Sequence, residues 1–155
     1  METTSIMFDN KSFLSNYYEC PVRIGSYIYP SSENAYHSFK FDNIWLHHHI
    51  CEILQKVTPD EAKHFVRELK KYYKPDWENC KKDAMYIVVK EKFKQNLNLR
   101  AALISTGDAI LVEDTTTWHD NFWGDCTCPQ CQYIMGQNNL GKILMKVRKE
   151  LQNNI

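Results

Sequence analysis

Glu33 and Lys40 stand seven residues apart in the stretch YPSSENAYHSFKF, residues 29–41. On a helix that spacing is two turns, with a rise of roughly 10 Å, so both side chains lie on nearly one face. A carboxyl group can give and take a proton, and a lysine that has lost its proton is a nucleophile. The pair can therefore serve one bound molecule. Tyr36 and His37 lie between them along the same stripe, while Ala35 and Phe39 are better placed to pack inward. The plainer reading is a helix with a favourable acid in its first turn and a solvated base in its last.

A second group of reactive types is WHDNFWGD, residues 118–125, which includes Trp118, Asp120, Trp123 and Gly124. Large rings in a loop need burial, and carboxylates beside them must be paired, solvated or functional. A ligand with a flat base and a hydroxylated sugar would use both types. A loop anchored by its tryptophans explains the same residues. Glu113 lies just upstream as a weaker candidate. GQNNLGKILMKVR, residues 136–148, runs from a tight turn at Asn138 into a helix whose first amides can hold an anion. It lacks full phosphate-loop spacing and any dinucleotide fingerprint, so a capped turn accounts for it. Cys126, Cys128 and Cys131 place three thiols in six residues. They can bind a structural zinc or stay free, and no fourth ligand is evident from the sequence. The run HHH at 47–49 spreads around a helix and reads as surface.

The elements that must position these residues follow from periodicity and caps. Residues 5–29 read as short strands and turns, with a hairpin in PVRIGSYIYP around Gly25. Ser31 or Ser32 can cap a helix reaching about Phe41, and a second helix covers 43–56. Thr58 and Pro59 open a third, with Lys70 and Lys71 in its last turn and Pro75 as the stop. Residues 76–95 form a long helix with Trp77, Cys80, Ala84, Ile87, Val88 and Glu91 at three- and four-residue spacing. A helix at 97–105, a strand at 109–113, an irregular segment at 114–138 and a final helix at 139–152 complete the chain. The last helix carries Leu140, Ile143, Leu144, Val147 and Leu151 on one side. The expectation is an α+β fold: a single, mainly helical domain with a small β component, spanning residues 1–155.

Composition limits the function classes. The 155 residues carry 19 basic and 19 acidic side chains, so there is no global pull toward nucleic acid or an acidic membrane. Nucleic-acid contact would have to be local. No apolar run approaches a membrane span, and the N-terminal METTSIMFDNKSF lacks the features of a signal peptide. An intracellular protein, cytoplasmic or nuclear, with reduced thiols is expected.

Several pieces, in order, resemble the NADAR family. They are FLSNYY (13–18), YPSSENAYHSFK (29–40), KPDWENCKKDAM (74–85), LVEDTTTWHDNFWGD (111–125) and GQNNLGKILMKVR (136–148). The resemblance implies an α+β, largely helical fold and a pocket for ADP-ribose-like or ribosyl-phosphate ligands. It also implies cleavage of a C–N glycosidic bond, on ADP-ribosylated guanine or on early riboflavin intermediates. It carries the family's SxE glutamate onto Glu33, its downstream lysine onto Lys40 and its long-helix pocket tryptophan onto Trp77. Asp120, Trp123 and Gly124 match DxxWG, while Asn16 and Asn138 match the asparagines of FLSN and GxNxLG. The Cys-rich stretch between WGD and GQN departs from the bacterial pattern.

These residues suit a lysine route. The ring of a ribosylamine opens when its oxygen is protonated, and neutral Lys40 displaces the amine through a Schiff base that water later hydrolyses. Glu33 is the expected proton shuttle, a carboxyl poised near neutral pH. Direct hydrolysis is the rival, with Glu33 or Asp120 activating water and Lys40 only binding. Trp77 and Trp123 are expected to wall the pocket, with Tyr36, Asn16, Asn138, Gly124 and Glu113 as further ligand contacts. No cofactor is required, apart from a possible structural zinc. The expected partner is an ADP-ribose-type molecule, free or on DNA or RNA. A non-catalytic ADP-ribose reader is the remaining alternative.

Overall fold

The computed structural model describes residues 2–154 and contains six α-helices and four short strands among them. The chain divides into two compact units, Asn16–Leu97 and Met1–Ser15 with Asn98–Ile155.

The unit Asn16–Leu97 begins with a hairpin. In chain order after β1 (Ser5–Phe8, below), β2 (Val22–Ile24) pairs antiparallel with β3 (Tyr27–Tyr29). Gly25, at φ 61°, takes the left-handed turn conformation that a side chain disfavours. Then α1 (Ser32–Ser38), α2 (Ile44–Leu54), α3 (Pro59–Arg67) and α4 (Trp77–Gln95) follow. The helix α1 is central: it packs on α2, α3 and α4 and touches both hairpin strands. That position explains why Ser32, Asn34, Ala35, Tyr36, His37 and Ser38 are all buried. Ala35 packs inward as expected, but Phe39 is only half-buried.

Several boundaries are tighter than the sequence suggested. α1 stops at Ser38, not about Phe41, because the chain closes with three-residue turns: Phe39 N–H donates to Tyr36 and Lys40 N–H to His37. Lys40 thus sits just past the helix, not on its face. α2 spans 44–54 instead of 43–56, capped by Asn43. α3 starts with a full capping box, Thr58 and Glu61, but ends at Arg67. Lys70 and Lys71 belong to a separate 3-10 turn, Lys70–Tyr72. On α4 the buried stripe runs through Trp77, Ala84, Met85, Val88, Val89, Lys92 and Phe93. Cys80 is only half-buried and Ile87 is 41% exposed, so the expected apolar register is partly wrong. The reason is that α4 packs on both α1 and β2, which widens the buried face.

In the other unit, β1 pairs parallel with β4 (Ile110–Glu113), Ser5 opposite Ile110 and Phe8 opposite Glu113. α5 (Leu97–Ser105) leads into β4, and α6 (Asn139–Asn153) packs on it. Leu140, Leu144, Val147 and Leu151 form the buried stripe of α6, while Ile143 is half-buried at its edge. Residues 114–138 contain no helix or strand, as expected. Among the described residues, no helix is long and apolar enough to cross a membrane.

Candidate functional site

The start of α1 is fixed by buried polar groups. Ser31 caps it, its hydroxyl accepting from Asn34 N–H at 3.1 Å. Ser32 donates to Asn16 Oδ1 at 2.8 Å, and Asn16 O accepts Glu33 N–H at 3.1 Å. Asn34 Nδ2 donates to the carbonyls of Leu54 and Val57, both at 2.8 Å. Glu33 is therefore held by its backbone from several sides. Asn16 itself is buried, with Oδ1 on Ser32 and Nδ2 3.2 Å from Met85 Sδ. The structure places it under Glu33, with its side-chain amide engaged by protein.

The Glu33 carboxylate lies 2.9 Å from His37 Nε2, with only 13% and 5% of the two side chains exposed. Burial pushes the Glu33 carboxyl upward, but His37, Lys40 and Lys63 outweigh it and leave it below its ordinary value. The same burial, helped by Lys40 and Lys63, depresses His37 despite the pull of Glu33. The consistent state is an ionised Glu33 accepting a bond from neutral His37 through Nε2–H. The other ring nitrogen, Nδ1, is buried without a hydrogen-bond partner, which fits the neutral ring: imidazolium would bury an unanswered N–H there. Glu33 is thus not the half-protonated carboxyl expected from the sequence.

Lys40 is half-buried among rings. Its Nζ lies 5.4, 4.9 and 5.8 Å from the ring centres of Tyr36, Tyr73 and Trp77, and 3.5 Å from Tyr73 Oη. Tyr36 and Trp77 pack together with centres 5.3 Å apart. Desolvation is the main influence on the amine and pushes it down to about 8. Lys63 and Arg67 add to the fall, and Glu33 and Glu78 oppose it. Lys74 N–H, bonded to Lys40 O at 2.7 Å, ties the approach to α4 onto the lysine's own backbone. Glu33, Tyr36, Lys40 and Trp77 are therefore brought together around one amine.

Sequence reasoning missed four contributors. His37 was noted only as lying on the stripe. Tyr73 sits in an irregular segment before Pro75, where pattern says little. Lys63 and Arg67 are one helical turn apart on α3, a spacing that could have marked a basic edge.

The other candidates meet in the second unit. Asp120 Oδ1 accepts from the backbone N–H groups of Phe122 and Trp123, at 2.9 and 2.8 Å, and so shapes the turn that carries Trp123. Phe122 and Trp123 pack edge to face at 4.8 Å. Gly124 is buried where a Cβ would strike Thr115 and the Glu113 carbonyl, so close backbone approach demands glycine. Asn138, at φ 50°, donates through Nδ2 to Leu111 O at 2.8 Å and accepts Glu113 N–H at 3.0 Å. The first amides of α6 are taken as well: Asn139 N–H goes to Phe122 O and Leu140 N–H to Trp123 O. That helix start is closed by the DNFWG backbone, not held open for an anion. Trp118 is on the surface, at 36% exposure.

The Cys-rich stretch also differs from expectation. A fourth donor exists: His119 gathers with Cys126, Cys128 and Cys131. Cys126 and Cys131 are buried, Cys128 is half-buried, and no cysteine is in a disulfide. Of the HHH run, His48 and His49 are exposed and His47 is half-buried.

Comparison with known proteins places this arrangement. The family model for the NADAR domain matches residues 4–152, through both units. The chain is 31% identical over 156 residues to N-glycosidase YbiA of Escherichia coli (strain K12), covering 97% of this chain and 91% of that protein. It is 36% identical over 144 residues to riboflavin biosynthesis protein VVA0006 of Vibrio vulnificus (strain YJ016). That alignment covers 93% of this chain but only 36% of the longer Vibrio protein. The NMR structure of E. coli YbiA superposes with a TM-score of 0.82 at 30% identity, covering 99% of this chain and 88% of that one.

Proposed function

The chain belongs to the NADAR family, and from that premise we propose that it is an N-glycosidase acting on a ribosyl C–N bond. The observation that carries the reading is Lys40: an amine depressed to about 8, half-buried in a cage of three rings and coupled to the buried carboxylate of Glu33. The names of the YbiA proteins and of N-glycosidase Npun_R5314 of Nostoc punctiforme support the bond type.

The proton inventory makes the lysine route economical. Resting Lys40 is largely the ammonium at neutral pH, and resting Glu33 is the carboxylate. Moving one proton from Lys40 to Glu33 creates both reagents at once: a neutral amine and a carboxylic acid. The acid protonates the ring oxygen as the C1–O bond breaks, leaving an iminium between C1 and the departing amine. Lys40 adds to C1, the original C–N bond breaks, and the amine leaves carrying a proton. Water then hydrolyses the lysine Schiff base, restoring Lys40 and releasing the sugar. His37 steadies the Glu33 carboxylate between steps. The rings of Tyr36, Tyr73 and Trp77 keep bulk water from the amine.

For the substrate we propose ADP-ribosylated guanine, in a nucleotide or nucleic acid. Lys63 and Arg67 supply two cations beside Lys40, a match for the two phosphates of an ADP-ribosyl group. A ribosylamino-pyrimidine phosphate of riboflavin biosynthesis is the second reading, favoured by the name of the Vibrio relative. Incubation with both substrates side by side, with products identified by mass, separates them. Release of ADP-ribose and unmodified guanosine supports the first. Turnover of the pyrimidine substrate alone replaces it with the second. Tight ADP-ribose binding with no release from either points to a reader and overturns the enzyme.

A further inference from the structure

We propose that His119, Cys126, Cys128 and Cys131 form a closed, structural zinc site that staples the irregular segment carrying Asp120 and Trp123.

Geometry carries this. The His119 Nδ1 atom lies 3.3 Å from Cys126 Sγ, 3.3 Å from Cys128 Sγ and 3.8 Å from Cys131 Sγ. All four donor atoms lie within 4.8 Å of one another. A tetrahedral zinc with ordinary bond lengths spaces its nitrogen and sulfur ligands about 3.6 Å apart and its sulfurs about 3.8 Å apart. The observed edges bracket that nitrogen–sulfur spacing. One histidine nitrogen facing three thiols is a poor hydrogen-bond arrangement, since a single N–H or lone pair cannot satisfy three sulfurs. It is a good coordination shell, and three soft sulfurs with one imidazole in a tetrahedron select zinc.

The backbone presents the donors. His119 has φ 59°, an uncommon left-handed conformation for a residue with a side chain, and its N–H is anchored on Thr115 O at 2.7 Å. Cys128–Cys131 closes as a turn, Cys131 N–H on Cys128 O at 3.0 Å, which brings both sulfurs to the same side. Asn121 Oδ1 accepts Cys126 N–H at 3.0 Å and fixes the remaining thiol. Four protein ligands leave no open position, so the site is structural, not a source of activated water. Residues 114–138 have no helix or strand to hold them, and His119 directly precedes Asp120. Metal there would order the turn that Asp120 and Trp123 share.

The test is metal analysis of the full chain, expressed with zinc supplied and purified without chelator or histidine tag. The expected result is about one zinc per chain. Cobalt replacing it under reducing conditions should give the thiolate charge-transfer and intense visible bands of a tetrahedral site. Cys128→Ser and His119→Gln should lose the metal and lower the melting temperature. His119→Cys should retain it with altered cobalt bands, and Cys51→Ser and Cys80→Ser should leave the metal content unchanged. Wild-type protein that holds no zinc after exposure to excess metal and gel filtration, and shows no cobalt bands, overturns the proposal. So does a disulfide among these three cysteines in protein purified under reducing conditions, or full zinc in Cys128→Ser.

Discussion

Two lysines of the unit Asn16–Leu97 are pushed down to about 8 by burial, and only one has the surroundings of a reagent. Lys40, past the end of α1, is half-buried beside an ionised carboxylate, within a ring cage, and near Lys63 and Arg67. Lys92, in the last turns of α4, is 0% exposed, with its Nζ 5.0 Å from the Phe93 ring centre and 5.8 Å from that of Tyr18. Burial opposes its charge, and the Cys20 thiol offsets this only in part. The contrast shows that a depressed amine does not by itself mark a catalytic lysine. Solvent access separates the two. In the proposed reaction the same physics serves chemistry at Lys40, while at Lys92 burial only opposes the charge.

The largest effect expected from breaking this contrast is at Lys40. Lys40→Ala should lower kcat on the order of 10⁴-fold or more, the scale on which loss of a covalent nucleophile acts. Lys92→Met, a variant of similar shape, should leave kcat within about twofold, since a position with no solvent access gives a substrate nothing to touch. Steady-state kinetics on the two variants separate the roles. Next comes Glu33→Gln, which keeps a bond to His37 but cannot carry the proton. Its kcat should fall roughly 10²–10⁴-fold, the range for a general acid–base group, with binding of ADP-ribose largely kept.

The stability effect at Lys92 should be smaller. Its amine has a lower proton affinity folded than unfolded, so wild-type stability rises with pH between about 8 and the ordinary lysine range. Lys92→Met should compare best with the wild type at pH 7, where desolvation opposes the buried ammonium. Denaturant titration should show that comparison worsening toward pH 10. The smallest effect is on the rate profile. The proposed reaction needs one proton held between Lys40 and Glu33, so kcat should be level below about 8 and fall as pH rises through it. Lys63→Met removes a cation that depresses Lys40, so this limb should move to higher pH by a few tenths of a unit.

Much of the fold was legible because caps and turns are local. Thr58-Pro59 with Glu61, Gly25 in its hairpin and the α6 stripe depend on neighbours within a few residues. The parallel pairing of β1 with β4 joins segments about a hundred residues apart, and no local pattern encodes it. Periodicity misplaced part of the α4 face because one helix there meets two partners. At the site, Glu33 and Lys40 were visible as a pair and a depressed lysine amine was expected, whereas the Glu33 carboxyl, expected near neutral pH, is held below its ordinary value. Their charge states are set by His37, Lys63 and Arg67 and by the depth of burial, which only the packing of α1 against three helices reveals. His119 escaped notice as a ligand because it reaches the cysteines through a left-handed turn seven residues before Cys126.

The central claim is that Lys40 bonds to the sugar. Reduction with borohydride during turnover of ADP-ribosylated guanosine, followed by peptide mass mapping, tests it most directly. A stable ribosyl adduct on Lys40, none on Lys92, and no adduct in Lys40→Ala are expected. Full turnover by Lys40→Ala, or active wild-type enzyme that never yields an adduct, would contradict it and leave Lys40 as a binding residue beside water-mediated hydrolysis.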